Sequence, residues 1–386
     1  MKLKRVAVIG AGMSRFGELW NMSFRDIVIS AGLEALEDAN LEGREIEAMY
    51  VGNMSAGRFI AQEHVSALIA DYSGLASINI PAIRVEAGDA SGGVALKEAY
   101  IAVASGIHDI VIAAGVEKVT DVGSSSEIMD SSIDKEWEAF NGATLAGLFA
   151  MMARLHMHEY GSSEEDLARI SVKNHKNAVN NPKAQFRREI TVESVLNSPY
   201  VAEPLKVLDS APISDGAAVL ILASEDVARK YTDTPVFLDA VVQSSDYLAL
   251  QNRRDILEMR AVKTATRKAL KLAGCSLDDV GVFELHDSFT IAEMLLYENV
   301  GIAERGKGHE AIREGVVELG GSNPVNPSGG LKACGHAVGA TGIRQAVEIV
   351  YQLRGDAGKR QVDAETGMAV NIGGTGATAV TSVFRR

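Results

Sequence analysis

The chain has 386 residues, with apolar residues at 47%, charged residues at 23% and a net charge of −13. That balance excludes a disordered chain, and the acidic excess argues against a nucleic-acid partner, which needs a basic face. Two cysteines, Cys275 and Cys334, are too few for a disulfide framework or a four-thiolate zinc site, so a reduced, cytoplasmic protein with no metal is expected.

Met1 to Arg5 is basic, but the apolar run after it is broken by Gly10, Ala11 and Gly12 and then meets Arg15, so no secretion signal is expected. Lys4 to Gly10 is β-branched and glycine-bounded, which predicts a strand. Gly10-Ala-Gly12 resembles the start of a dinucleotide fingerprint. Arg15 stands where its third glycine belongs, so a tight turn and no nicotinamide are expected. Phe24 to Asp38 carries helical periodicity behind Ser23 as N-cap. A strand at Ala48 to Val51, a helix at Gly92 to Ala104 and a strand at Asp109 to Gly115 follow.

From about residue 119 to 208 the character changes. Ser124-Ser125-Ser126, Pro182, Pro199, Pro204 and the basic cluster Lys183, Arg187 and Arg188 suggest an inserted segment of helices capping a site. Its longest apolar stretch, Ala143 to Met152, falls well short of the ~20 residues of a membrane span, so no membrane partner is expected. His156 and His158 lie two apart, on different faces of a helix, and are expected at the surface rather than on a metal. Ala217 to Leu222 predicts a strand.

The remainder repeats the opening order. It gives a strand at Pro235 to Val242, a helix at Arg260 to Ala273, a strand at Val280 to Leu285, a helix at Gly339 to Arg354 and a strand at Gly367 to Ile372. Leu33 to Gly43 matches Arg267 to Leu277 in pattern, and Asp89 to Ala99 lies over His336 to Ala346. These matches predict two duplicated α/β halves, 1–234 and 235–386, with Asp89 and His336 at facing helix N-termini.

Three runs carry chemistry. Glu284-Leu-His286-Asp287-Ser288-Phe289 stands at a strand end, where α/β proteins place reacting groups; a capped turn explains it equally well. Asn326-Pro-Ser-Gly-Gly-Leu-Lys-Ala-Cys-Gly335-His336-Ala-Val-Gly339-Ala-Thr-Gly342 sets a histidine among small residues, poised to donate to an oxyanion. Asn371-Ile-Gly373-Gly374-Thr-Gly376 offers free backbone N–H groups after the last strand, or is a plain glycine turn.

Together with Ser210-Ala-Pro-Ile-Ser-Asp215-Gly-Ala-Ala, these runs resemble the thiolase superfamily over essentially the whole chain. The His-Asp-Ser-Phe form is similar to the sterol-carrier-protein type and to archaeal acetyl-CoA C-acyltransferases. The resemblance implies two βαβαβαββ halves in five layers (α-β-α-β-α) with an inserted loop domain. It also implies Claisen chemistry on acyl-CoA: a cysteine thiolate takes the acyl group, a second base removes an α-proton, and two oxyanion holes hold the charge. Carried over by motif, His336 activates the nucleophile and lines the enolate hole. His286 holds a water there, and the N–H groups of residue 89 and Gly373 form the second hole. Coenzyme A phosphates would fall to Lys183, Arg187 and Arg188. The likeness further implies a homo-oligomer, and a 3-hydroxy-3-methylglutaryl-CoA synthase with a small acyl-CoA-binding protein as partners near mevalonate synthesis.

The chain departs from that pattern where the chemistry is sharpest. Cys-x-Ser-Gly has become Asp89-Ala-Ser91-Gly92. The second cysteine is absent from both its places, now Asn371 and Ser288, and Ala337 replaces a proline. Four readings follow: direct acyl transfer with Asp89 as base; Cys334 as substitute nucleophile; a non-catalytic acyl-CoA-binding or channelling subunit; and thioester hydrolysis with Asp89 activating water.

Overall fold

The computed structural model describes residues 3–123 and 125–386. Met1, Lys2 and Ser124, part of two runs noted above, lie outside them. The strands are β1 Val6–Met13, β2 Ala48–Gly52, β3 Ala82–Val85, β4 Ile110–Glu117, β5 Tyr200–Ala202, β6 Leu205–Lys206, β7 Gly216–Ser224, β8 Val236–Ser245, β9 Val282–Leu285, β10 Thr366–Gly373 and β11 Thr378–Arg385.

Nine of them hydrogen-bond in the order β3-β2-β4-β7-β1-β8-β11-β10-β9, while β5 and β6 form a small ribbon. The duplication is visible in that order, because β1, β7, β4 and β2 run outward as β8, β11, β10 and β9 do. Both outer pairs of these series, β2 with β4 and β9 with β10, are parallel. Beyond β9, the place that β3 takes in the first half is reduced to a single bridge, Phe283 to Val325.

The helices Ser91–Ala104 and Thr341–Arg354 pack against each other and touch strands of both halves, so they form the middle of five layers. The Phe24–Asp38 and Arg260–Ala273 helices cover the two outer faces. The halves stack in the expected layers around the two central helices. They meet at one corner, where β1 and β8 share two pairs, Ala7 with Phe237 and Val8 with Val236.

Ser23 caps its helix with a capping box that Asp26 completes. The strand before it runs on to Met13, through Gly10 and Gly12. Neither a fingerprint nor a tight turn is present there. A Cβ at Gly12 would stand 2.5 Å from Ala31 O, so glycine lets the outer helix lie directly on the strand.

Between β4 and β7 lie the Leu145–Tyr160 and Glu164–Ala178 helices with shorter turns. His156 is completely buried there, contrary to the surface position expected. Its Nδ1 meets Ser162 Oγ at 2.7 Å and its Nε2 meets Glu298 Oε1 at 2.8 Å, which joins the insertion to the second half. Counting helix faces separated His156 from His158 correctly but could not say which face turns inward.

Among the described residues, no helix is long and apolar enough to cross a membrane.

Candidate active site

The two central helices start almost in contact. A Cβ at Gly92 would lie 2.8 Å from Gly339 O and 2.9 Å from Gly342 N. Glycine at these positions therefore sets how closely the segments before the helices approach, and Asp89 and His336 stand on those segments.

Asp89 is 1% exposed. Its Oδ1 lies 3.3 Å from His336 Nε2, and its Oδ2 accepts the Gly374 N–H at 3.0 Å. Burial alone would raise this carboxyl, but the hydrogen bond and charge of His336 outweigh it and leave the group below the ordinary carboxylate range. Both partners of the carboxylate come from the second half, and not from the N-terminus of the helix that Asp89 precedes.

His336 is set in the turn before its helix, which begins at Thr341 rather than Gly339. Its main-chain N–H donates to Ser214 Oγ at 2.9 Å, and its Nδ1 meets Thr341 Oγ1 at 2.8 Å. Ser214 in turn donates to Gln185 Oε1 at 2.5 Å, so the insertion braces the histidine.

His286 follows β9. Its ring stands edge to face with that of His336, centroids 5.3 Å apart. Burial pushes it down to about 3, with His336 adding to the effect, so the ring is neutral at pH 7. One ligand-type atom from each of Asp89, His286 and His336 lies within 4.8 Å of the other two. Asn371, at the end of β10, donates from Nδ2 to Asp89 O at 3.0 Å and meets His286 Nδ1 at 2.9 Å.

The other expected residues divide. Gly373 backs onto the chain, where an added Cβ would meet Ala87 O at 2.5 Å, and it is Gly374 whose N–H reaches the Asp89 carboxylate. Ser288 and His336 line one apolar cavity of about 210 Å³ with Met129, Leu145, Val201 and Phe289. Cys334 is fully buried, accepts from Asn181 Nδ2 at 3.5 Å, and burial pushes its thiol up to about 11. A thiol in that state is neither ionised nor reachable, which removes it as a nucleophile.

Lys183 is committed elsewhere, to Glu34 at 2.6 Å and to Met13 O at 2.7 Å. Arg187 and Arg188 are exposed and follow Gln185 and Phe186, whose N–H groups donate to Cys334 O and Ala333 O beside the His336 turn.

Glu117 was not anticipated. At the end of β4 it accepts from Asn53 Nδ2 at 2.8 Å, Met54 N at 2.8 Å and Gly339 N at 3.1 Å, tying the first half to the His336 turn. Burial pushes it up to about 7 against the pull of those donors. A charged residue closing the apolar run Ile110 to Val116 was the available signal.

The profile described as "Thiolase, N-terminal domain" matches residues 6–226, and "Thiolase C-terminal domain-like" matches residues 242–386. The chain belongs to the thiolase family. It is 56% identical over 385 residues to the "Acetyl-CoA acetyltransferase" of Methanothermobacter thermautotrophicus, covering 100% of each chain. It is 34% identical to "Sterol carrier protein 2" of Bos taurus over 98% of this thiolase-family chain and 72% of that one. A solved structure titled "Ltp2-ChsH2(DUF35) aldolase" superposes with a TM-score of 0.85 at 27% identity, covering 98% of both.

Proposed function

We propose that this chain is an acyl-CoA C-acyltransferase of the acetoacetyl-CoA thiolase kind that works without an acyl-cysteine, with Asp89 as its base. The observation that carries the reading is the buried Asp89–His336 pair at 3.3 Å, at the position where the resemblance expects the nucleophile. A carboxylate makes a poor acyl acceptor, since an acyl-aspartate is a reactive anhydride, but it serves as a base. The identity to an archaeal acetyltransferase supports the substrate class.

In the condensing direction, Asp89 takes the α-proton of acetyl-CoA and the C–H electrons pass to the enolate. On taking that proton it loses its charge and relaxes its hold on His336 Nε2–H. That donor is then free for the oxyanion as it forms. The enolate carbon attacks the thioester carbonyl of a second acyl-CoA, the C–S bond breaks, and the coenzyme A thiolate leaves with the proton from Asp89. Pairing with His336 keeps Asp89 charged at neutral pH at some cost in basicity.

Arg187 and Arg188 take the coenzyme A phosphates, and Lys183 positions the insertion through Glu34 instead. The halves 1–234 and 235–386 act as one unit around the site, and the active form is a cytoplasmic homo-oligomer. A hydroxymethylglutaryl-CoA synthase remains the proposed downstream partner. The DUF35 protein named with the aldolase structure supports a small partner of that kind.

Initial-rate kinetics of acetoacetyl-CoA thiolysis test this reading. Direct transfer gives double-reciprocal plots that intersect. Parallel plots with an isolable acyl-protein overturn it. Coenzyme A binding without turnover leaves the channelling-subunit reading, and coenzyme A release without an acyl acceptor leaves the hydrolase.

A second reading is favoured by the lack, among the described residues, of a reachable thiol beside Asp89 and His336, together with the aldolase relative. Aldol cleavage of a β-hydroxyacyl-CoA uses the same base and enolate donors with no acyl transfer. Release of a carbonyl compound and an acyl-CoA, without consumption of free coenzyme A, identifies it.

A further inference from the structure

Asn371 touches both Asp89 and His286. Its Oδ1 accepts the Gly93 N–H at 3.1 Å, and its Nδ2 donates to Asp89 O at 3.0 Å. The two main-chain partners have opposite polarity. Turning the amide over would set NH₂ against an N–H and oxygen against a carbonyl, both buried and both left unsatisfied. The backbone therefore dictates which end of the amide faces His286.

That end is Nδ2, 2.9 Å from His286 Nδ1. An amide NH₂ has only hydrogens to offer, so Nδ1 accepts. A neutral imidazole carries one ring hydrogen, which then sits on Nε2. Burial holds the ring neutral at pH 7, its group pushed down to about 3. Among the described residues the His286 ring makes its hydrogen bond through Nδ1 alone, which leaves the Nε2 hydrogen for a bound acceptor.

We infer that Asn371 is a positioning residue that locks His286 as the Nε2–H tautomer, so that His286 offers a fixed donor to the thioester or enolate oxygen of an acyl-CoA. The inference rests on the acyl-CoA reading for the identity of that acceptor and on geometry alone for the tautomer. At this position the resemblance expects a cysteine that moves protons. Here the side chain orders donors instead.

The test is ¹⁵N spectroscopy of the full chain labelled at histidine, with a His286→Gln variant assigning the resonance. The wild-type spectrum should show a pyridine-like Nδ1 and a pyrrole-like Nε2 across neutral pH. Asn371→Asp keeps the size and inverts the polarity, so the ring hydrogen should move to Nδ1. In that variant kcat should fall about 100-fold, with KM for acyl-CoA unchanged within a few-fold. Asn371→Ala, which offers Nδ1 neither donor nor acceptor, should give mixed tautomers and serves if the Asp variant does not fold.

A pyrrole-like Nδ1 in the wild type overturns the inference, as does a His286 spectrum that both variants leave unchanged. A chain with the Nε2–H tautomer that turns over no acyl-CoA refutes the reaction and leaves the tautomer lock standing. A turning-over chain with the Nδ1–H tautomer does the reverse.

Discussion

Replacing Asp89 by Asn keeps the shape of the side chain and removes its base. In the wild type one carboxylate oxygen faces His336 Nε2 at 3.3 Å and the other receives Gly374 N–H at 3.0 Å. The Asn side chain can keep its oxygen on Gly374 and turn its NH₂ to His336. Nε2 then accepts, while Nδ1 donates to Thr341 Oγ1 at 2.8 Å. Both contacts survive in altered polarity, so the stability change should be small, about 1 kcal/mol. The proton-transfer function has no substitute, and general-base catalysis contributes about 10²–10⁴-fold. The direct assay is exchange of the acetyl-CoA methyl hydrogens in deuterated water, which reads the base without the condensation; thiolysis of acetoacetyl-CoA reads the whole reaction. Both should fall together by about 10²–10⁴-fold while the melting temperature holds. Exchange by Asp89→Asn within tenfold of wild type would refute the assignment. So would an inert wild type that gains thiolysis as Asp89→Cys, since that pattern marks a binding protein with a lost nucleophile.

Three further outcomes follow from the packing and the charges. Cys334→Ala should retain kcat within about twofold and lose about 1 kcal/mol of stability; iodoacetamide inactivation that acyl-CoA prevents would restore the thiol to the mechanism. Gly92→Ala should cost about 1–3 kcal/mol, because its Cβ meets backbone at Gly339 rather than a yielding side chain; an unchanged denaturation curve would mean the two helix starts are looser than described. His175, pushed down to about 4 by burial and the nearby Lys332, stays neutral in the folded state while the unfolded chain takes up a proton from about 6.5. It therefore contributes stability above pH 6.5 that is lost as pH falls toward 4. His175→Asn should make that acid-side loss shallower by up to about 1.4 kcal/mol per pH unit, measured by urea unfolding; an identical slope contradicts the sign.

The elements that pattern predicts are those where one periodicity dominates, such as Phe24–Asp38 and Arg260–Ala273. Small-residue helices were placed to within two residues, because the glycines at Gly92 and Gly339 mark close packing more than a helix boundary. Family likeness supplied Asp89, His286 and His336, and the structure brings them together. It could not supply what lies between them. Whether Asn371 donates to or accepts from His286 depends on Gly93 and Asp89 main-chain atoms, which no side-chain pattern reports. The Lys183 contact was illegible for a related reason. A basic cluster looks free in sequence until the fold sets Glu34 beside it. His156 and Glu298, far apart in sequence, gave no sign of each other before folding.

Two histidines and a carboxylate with ligand atoms inside 4.8 Å are a set that divalent zinc or cobalt could gather. A metal-bound imidazole needs a lone pair toward the ion and its N–H toward an acceptor. Asn371 presents a donor to His286 Nδ1, which occupies that lone pair and places the hydrogen on the only other nitrogen. The polarity of that amide is therefore predicted to disfavour metal binding at Asp89, His286 and His336. Asn371→Asp would supply the missing acceptor. Titration of that variant with cobalt should show binding with the visible spectrum of low-coordinate nitrogen and oxygen ligation, while the wild type stays colourless. Equal binding by both would show that the amide has no such role.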